Sequence, residues 1–305
     1  WLADYIVDYG IDGYRIDTAK HTTEDVWADF KKVCDAAFST YKTKNPTKVL
    51  DNNPFFTVGE VYGYNIGAKQ YYDYGDKKVN YFENGMTALI NFDFRNEAKM
   101  NYENIFSKYS DILQNDLKGN TVMNYVSSHD DGWPFDKKRE KPFESATKLL
   151  LAPGIAQVYY GDETARSLDI EGTTGDATLR SMMNWDDLKR NSPLPDQAGV
   201  NYQDVLRHWQ KLGQFRQAHL AVGMGRHQQL QASPYVFERS LQTGTQLDYV
   251  IVALDLPKAQ QLVIPAGKFK EGQRVHDAYS GSESVVKDGK LVFASGFPVL
   301  LLSAK

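Results

Sequence analysis

Apolar and polar positions change period repeatedly along the chain, and the changes mark out helices alternating with short strands. Leu2, Ile6 and Tyr9 share one helical stripe that stops at Gly10. Tyr14 and Ile16 then alternate with Arg15 and Asp17, the pattern of a strand that sends both charged side chains to one face. Thr22 or Thr23 can cap a helix with acids in its first turn, and the spacing of apolar residues carries it over 26–41. Cys34 falls in that apolar series with Val26, Phe30, Val33, Ala37 and Phe38, and reads as a buried structural thiol. A loop with Asn45-Pro46 and Asn52-Asn53-Pro54 leads to a second strand over 55–59, ending at Glu60. Residues 62–85 hold six tyrosines without clear period and read as a long loop over the site. The same reasoning predicts strands over 87–94, 121–127 and 156–160, and helices over 96–117, 143–151 and 205–215. Residues 164–200 read as an irregular loop.

Strands alternating with helices predict parallel βαβ units, and chemistry-bearing residues at the ends of successive strands favour a (β/α) barrel over an open sheet. After Gly225 the pattern shifts. Short strands over 235–239, 249–254, 261–264, 274–277, 291–293 and 299–302 are separated by turn-forming residues, which predicts an antiparallel sandwich. The expected domains are therefore 1–224, a partial barrel, and 225–305, a β-sandwich.

Composition narrows the function classes. The 305 residues are 42% hydrophobic and 24% charged with a net charge of −4, which gives no electrostatic case for nucleic acid or an anionic membrane surface. One cysteine excludes an intrachain disulfide. No signal peptide or membrane span is visible. Nineteen Tyr and five Trp supply flat amphipathic faces, which suit sugar stacking as well as cores and interfaces.

The nine residues Gly13-Tyr14-Arg15-Ile16-Asp17-Thr18-Ala19-Lys20-His21 concentrate the candidate chemistry. Arg15 can hold the Asp17 carboxylate ionised and fix its rotamer, although an isolated R-x-D is more often a surface ion pair. Val58-Gly59-Glu60-Val61 and Val126-Ser127-Ser128-His129-Asp130 follow in order. Together the three segments resemble the motifs of the α-amylase superfamily, glycoside hydrolase family thirteen, whose nucleophile strand reads G-x-R-x-D-x-x-K-H. With Ala88-Leu89-Ile90-Asn91-Phe92-Asp93 and Tyr160-Gly161-Asp162-Glu163, the chain looks most like the periplasmic members from Gram-negative bacteria, from Trp1 to about Gly225.

The resemblance implies the C-terminal part of a (β/α)8 barrel, about strands 4–8, followed by the family's β-domain. It implies retaining hydrolysis of internal α-1,4-glucosidic bonds in starch or maltodextrin, with Asp17 as nucleophile, Glu60 as acid and later base, and Asp130 as the third carboxylate. By the same resemblance, Arg15, Lys20, His21 and His129 contact substrate. The His21 backbone carbonyl would bind a structural calcium, whose ligand set this chain leaves incomplete. The family's first motif, the first three barrel strands and the inserted domain have no counterpart here. The expected partners are thus an α-glucan and either the N-terminal half of the barrel or a second copy of the chain. A periplasmic or extracellular location follows from the resemblance alone. Exo-hydrolysis, glucosyl transfer and a non-catalytic glucan-binding role remain open, since the fold alone never proves activity. Asp131 stands where the family often has Asn or Thr, and Trp133 suits either stacking on a sugar or wedging the loop core.

Overall fold

The computed structural model describes residues 1–117, 119–257 and 260–305. They form two compact units, Trp1–Phe94 with Asn115–Asn124, and Arg95–Gln114 with Tyr125–Lys305. The expected boundary at 224/225 falls inside the second unit.

The first unit is built on four parallel strands in the order Gly13–Ile16, Phe56–Gly59, Ala88–Asn91 and Thr121–Asn124. The middle two are almost wholly buried, which is why they read as continuous apolar runs instead of alternating ones. Gly13 is required by the approach of the first two strands: a Cβ there would lie 2.5 Å from the Phe56 carbonyl oxygen. Helix Leu2–Tyr9 ends at Gly10 in the left-handed conformation, and helix Glu24–Lys44 packs beside it. Ile6, Cys34, Ala37, Phe38 and Phe55 make their shared core, and burial pushes the Cys34 thiol up to about 11, as befits an inert thiol. Val26 and Val33, expected in this core, are exposed instead. Helical spacing marks a stripe but not its width, and Cys34, Ala37 and Phe38 suffice to meet Ile6 and Phe55.

In the second unit the expected helix over 96–117 is two pieces, Phe94–Glu97 and Tyr102–Asn115. Asn101 interrupts it because its side chain accepts the Asn104 N–H at 2.8 Å and starts the second piece. The strand expected over 156–160 is reduced to Ile155–Ala156. Helix Pro142–Leu151 ends in carbonyls that half-buried Arg216 and fully buried Arg239 satisfy. Arg216 donates to Leu150 and Ala152 at 2.9 Å each, and Arg239 to Leu151 at 2.5 Å.

The sandwich has a six-stranded antiparallel sheet in the order Glu283–Val285, Arg274–Asp277, Val299–Ala304, Gln246–Leu254, Tyr235–Thr243 and Arg226–Gln231. A second sheet pairs Gln260–Pro265 with Lys290–Ser295. Val236, Ile251, Leu262, Phe293 and Leu300 lie in the core. Two of these strands escaped the sequence reading: Arg226–Gln231, a largely exposed edge of sequence RHQQLQ, and the three-residue Glu283–Val285. The alternation of an edge strand is blunted when neither face is fully buried.

Candidate active site

The first two strands of the parallel sheet deliver their charged ends to one place. Strand Gly13–Ile16 stops just before Asp17, and Thr18 turns the chain with φ 45° into the short turn Ala19–His21. The second strand stops just before Glu60. The Glu60 N–H donates to the Ile16 carbonyl at 2.8 Å and the Ala19 N–H to the Glu60 carbonyl at 2.9 Å, so the two strand ends are laced together.

Arg15 sits between the carboxylates. One guanidinium nitrogen pairs with Asp17 and another reaches Oε2 of Glu60 at 3.0 Å. The Thr18 N–H donates to the same Oε2 at 3.0 Å. The two acids differ in exposure, the Asp17 side chain being 68% exposed and that of Glu60 10%. Burial raises the Glu60 pKa above its ordinary value, and the neighbouring Asp17 raises it further. The Thr18 N–H and Arg15 oppose the shift without cancelling it. The result is one exposed carboxylate beside one buried carboxyl that holds its proton longer.

Lys20 follows on the turn and donates to the Tyr62 carbonyl at 3.0 Å and the Tyr72 hydroxyl at 3.2 Å, with its charge over both rings. These tyrosines belong to the segment expected to be a loop, which contains only the small hairpin Tyr72–Asp73 with Lys78–Val79 and the turn Ile66–Ala68. His21 is exposed at the end of the turn. Calcium takes six to eight oxygens. Among the described residues no group of three or more His, Cys, Asp or Glu side chains is placed to hold a metal ion, and no step is assigned to a metal.

His129 and Asp130 lie in the second unit, His129 Nε2 standing 3.3 Å from Asp130 Oδ2. The Ser128 hydroxyl donates to Asp130 Oδ1 at 3.0 Å, and Arg180 donates to the His129 carbonyl at 2.9 Å. Buried Asp162 accepts from Ser127 at 2.6 Å and from Arg139 at 2.8 Å, fixing the start of this loop. Sequence reasoning quoted Asp162 within a motif but gave it no role. It missed Arg95 entirely, which pairs with Asp131. A single arginine beyond a strand end carries no local signal of its partner 36 residues away.

Comparison with known proteins agrees with this architecture. No family model matches the chain. Over 228 residues, 74% of the chain, it is 36% identical to the periplasmic alpha-amylase of Escherichia coli (strain K12). It is 25% identical over 265 residues to a cyclomaltodextrinase of Bacillus sp. The chain spans 30% and 40% of the lengths of these two relatives. In fold it is similar to the alpha-amylase of Geobacillus thermoleovorans crystallised with acarbose, with a TM-score of 0.65 at 16% identity, covering 99% of this chain and 62% of that one. A parallel-sheet unit laced at two carboxylate-bearing strand ends, followed by an antiparallel sandwich, fits a partial (β/α) barrel with a β-domain. The chain is thus a homologue of the α-amylase-type glycoside hydrolases over part of their length.

Proposed function

We propose that the protein containing this chain is a retaining α-amylase that cleaves internal α-1,4-glucosidic bonds of starch or maltodextrin. The observation that carries this reading is the pair Asp17 and Glu60 on one guanidinium, the first exposed and the second buried with a raised pKa. Carboxylates sharing one guanidinium fit the separation of about 5–5.5 Å used in retention better than the roughly 6.5–9.5 Å that leaves room for a water.

In the first step the ionised Asp17 attacks the anomeric carbon while the glycosidic C–O bond breaks. The bonding pair leaves with the oxygen, which takes the Glu60 proton. Glu60, now a carboxylate, removes a proton from water as that water displaces Asp17. Arg15 keeps Asp17 charged and both side chains in fixed rotamers. Asp130 and His129 would bind sugar hydroxyls and favour the oxocarbenium-like transition state, and Lys20 and His21 the leaving-group side. A periplasmic or extracellular location is supported by the name of the E. coli relative.

Similarity to a cyclomaltodextrinase keeps exo-hydrolysis or glucosyl transfer as the second reading, because the same carboxylates serve all three reactions. A non-catalytic glucan-binding role is disfavoured by the presence of all three carboxylates. Products from maltoheptaose separate the readings: mixed shorter fragments at early times support internal cleavage, uniform end-trimming an exo-hydrolase, and lengthened chains a transferase. Apolar Leu2, Tyr5, Tyr9, Val26 and Val33 lie exposed on the first two helices of this chain. We propose that the N-terminal half of a barrel or a second copy covers them, which light scattering of the chain with and without an N-terminal fragment tests.

A further inference from the structure

The segment from Val126 to Phe135 is closed at its base by the Phe135 N–H donating to the Val126 carbonyl at 2.8 Å. Its interior is held by Asp131, whose side chain is 10% exposed. One Asp131 oxygen takes the Arg95 Nε–H and, at 2.8 Å, the Tyr125 hydroxyl. The other takes the Trp133 N–H at 3.1 Å. Arg95 also donates to the Trp133 carbonyl at 3.4 Å. The Trp133 backbone is thus gripped at both its N–H and its C=O, while its indole stands 79% exposed.

That combination excludes the loop-core wedge and calls for another account. A large apolar ring left in water forgoes the stabilisation it would gain by burial, and a polar clamp that presents it there adds nothing to a core. What the clamp does supply is a fixed backbone anchor for the ring, three residues after Asp130, which leaves only the side-chain torsions to be ordered on binding. We propose that Trp133 is a stacking platform for a glucosyl ring of the α-glucan, held in place by Asp131 and Arg95. This rests on the α-glucan hydrolase reading. The chemistry fits because a pyranose offers a face of axial C–H bonds to an indole while its hydroxyls stay in water. Asp131, which departs from the residue types often found at this position in the family, thereby acquires a positioning role through Trp133.

The test uses the full-length protein. Trp133→Ala raises KM for maltotriose by roughly 2- to 10-fold with a smaller change in kcat, and Trp133→Phe restores most of the loss. In an Asp17→Asn background, maltotriose shifts tryptophan emission, and the shift disappears in Trp133→Phe. Asp131→Asn raises KM as well, and combined with Trp133→Ala it adds less than its own effect because both act through one ring. If Trp133→Ala leaves KM unchanged in a protein that cleaves maltoheptaose, the platform is wrong and the hydrolase reading stands. A lowered Tm with unchanged KM assigns the ring to packing and likewise overturns the proposal. If the unsubstituted protein neither cleaves nor binds α-glucans, the hydrolase reading falls and this inference with it.

Discussion

The Thr18 N–H donates to Oε2 of Glu60 at 3.0 Å, so the residue after Asp17 is fastened to the partner carboxylate by the backbone itself. The two acids are therefore coupled in position as well as in charge. Asp17 raises the Glu60 pKa. Asp17→Asn removes that like charge and lowers the Glu60 pKa, leaving burial to act against the Thr18 N–H and Arg15. Carboxyl-detected NMR titration of the variant checks this, and an unchanged Glu60 midpoint counts against the coupling.

Arg15→Lys replaces a planar fork that holds two carboxylates with a point charge that holds one. The expected loss in kcat is on the order of 100-fold, with circular dichroism unchanged. Rates within a few-fold of the parent protein would show that the fork does not position the pair.

Gly13→Ala brings a Cβ to 2.5 Å from a main-chain oxygen that cannot rotate away. Parting the first two strands costs about 1–3 kcal/mol, read by denaturant unfolding, and activity falls further than stability because Asp17 and Glu60 end those strands. A stability change near zero would mean that the strands separate freely.

Two buried histidines predict acid sensitivity. His208, between Thr147, the Phe143 carbonyl and Tyr279 with Lys211 nearby, is pushed down to about 4. His227, against Glu103, Tyr235 and Arg239, is also pushed down to about 4. Burial is the main cause in each. The folded pKa lies below the unfolded value near 6.5, so the unfolded chain binds more protons between these values. Stability is complete above pH of about 6.5 and declines as pH falls towards about 4, by a few kcal/mol per residue at most. Tm measured across this range shows the slope, and His208→Asn reduces it; a flat profile contradicts the assignment.

The extent to which the chain could be read in advance follows the range of the forces involved. Arg15 and Asp17 were legible because a strand puts residues two apart on one face, and the structure pairs them. The parallel strands were legible because burial on both faces leaves continuous apolar runs. Edge strand Arg226–Gln231 was not, since its exposure removes that signal. The Asn101 break was missed because a side-chain cap outweighs helical periodicity over a few residues. The Arg95–Asp131 pair was invisible because it is a tertiary contact between groups with no local pattern, and only the folded loop gives Asp131 a purpose.

The assignment of Asp17 as nucleophile and Glu60 as acid is tested most directly by trapping the glycosyl-enzyme. The full-length protein is treated with a 5-fluoro-α-glucosyl fluoride, which forms the covalent intermediate readily and releases it slowly, and is then digested for peptide mass spectrometry. The account predicts one glucosyl unit on Asp17, with products of maltoheptaose released in the α configuration. A label on Glu60 or Asp130, or products released as the β anomer, would contradict it.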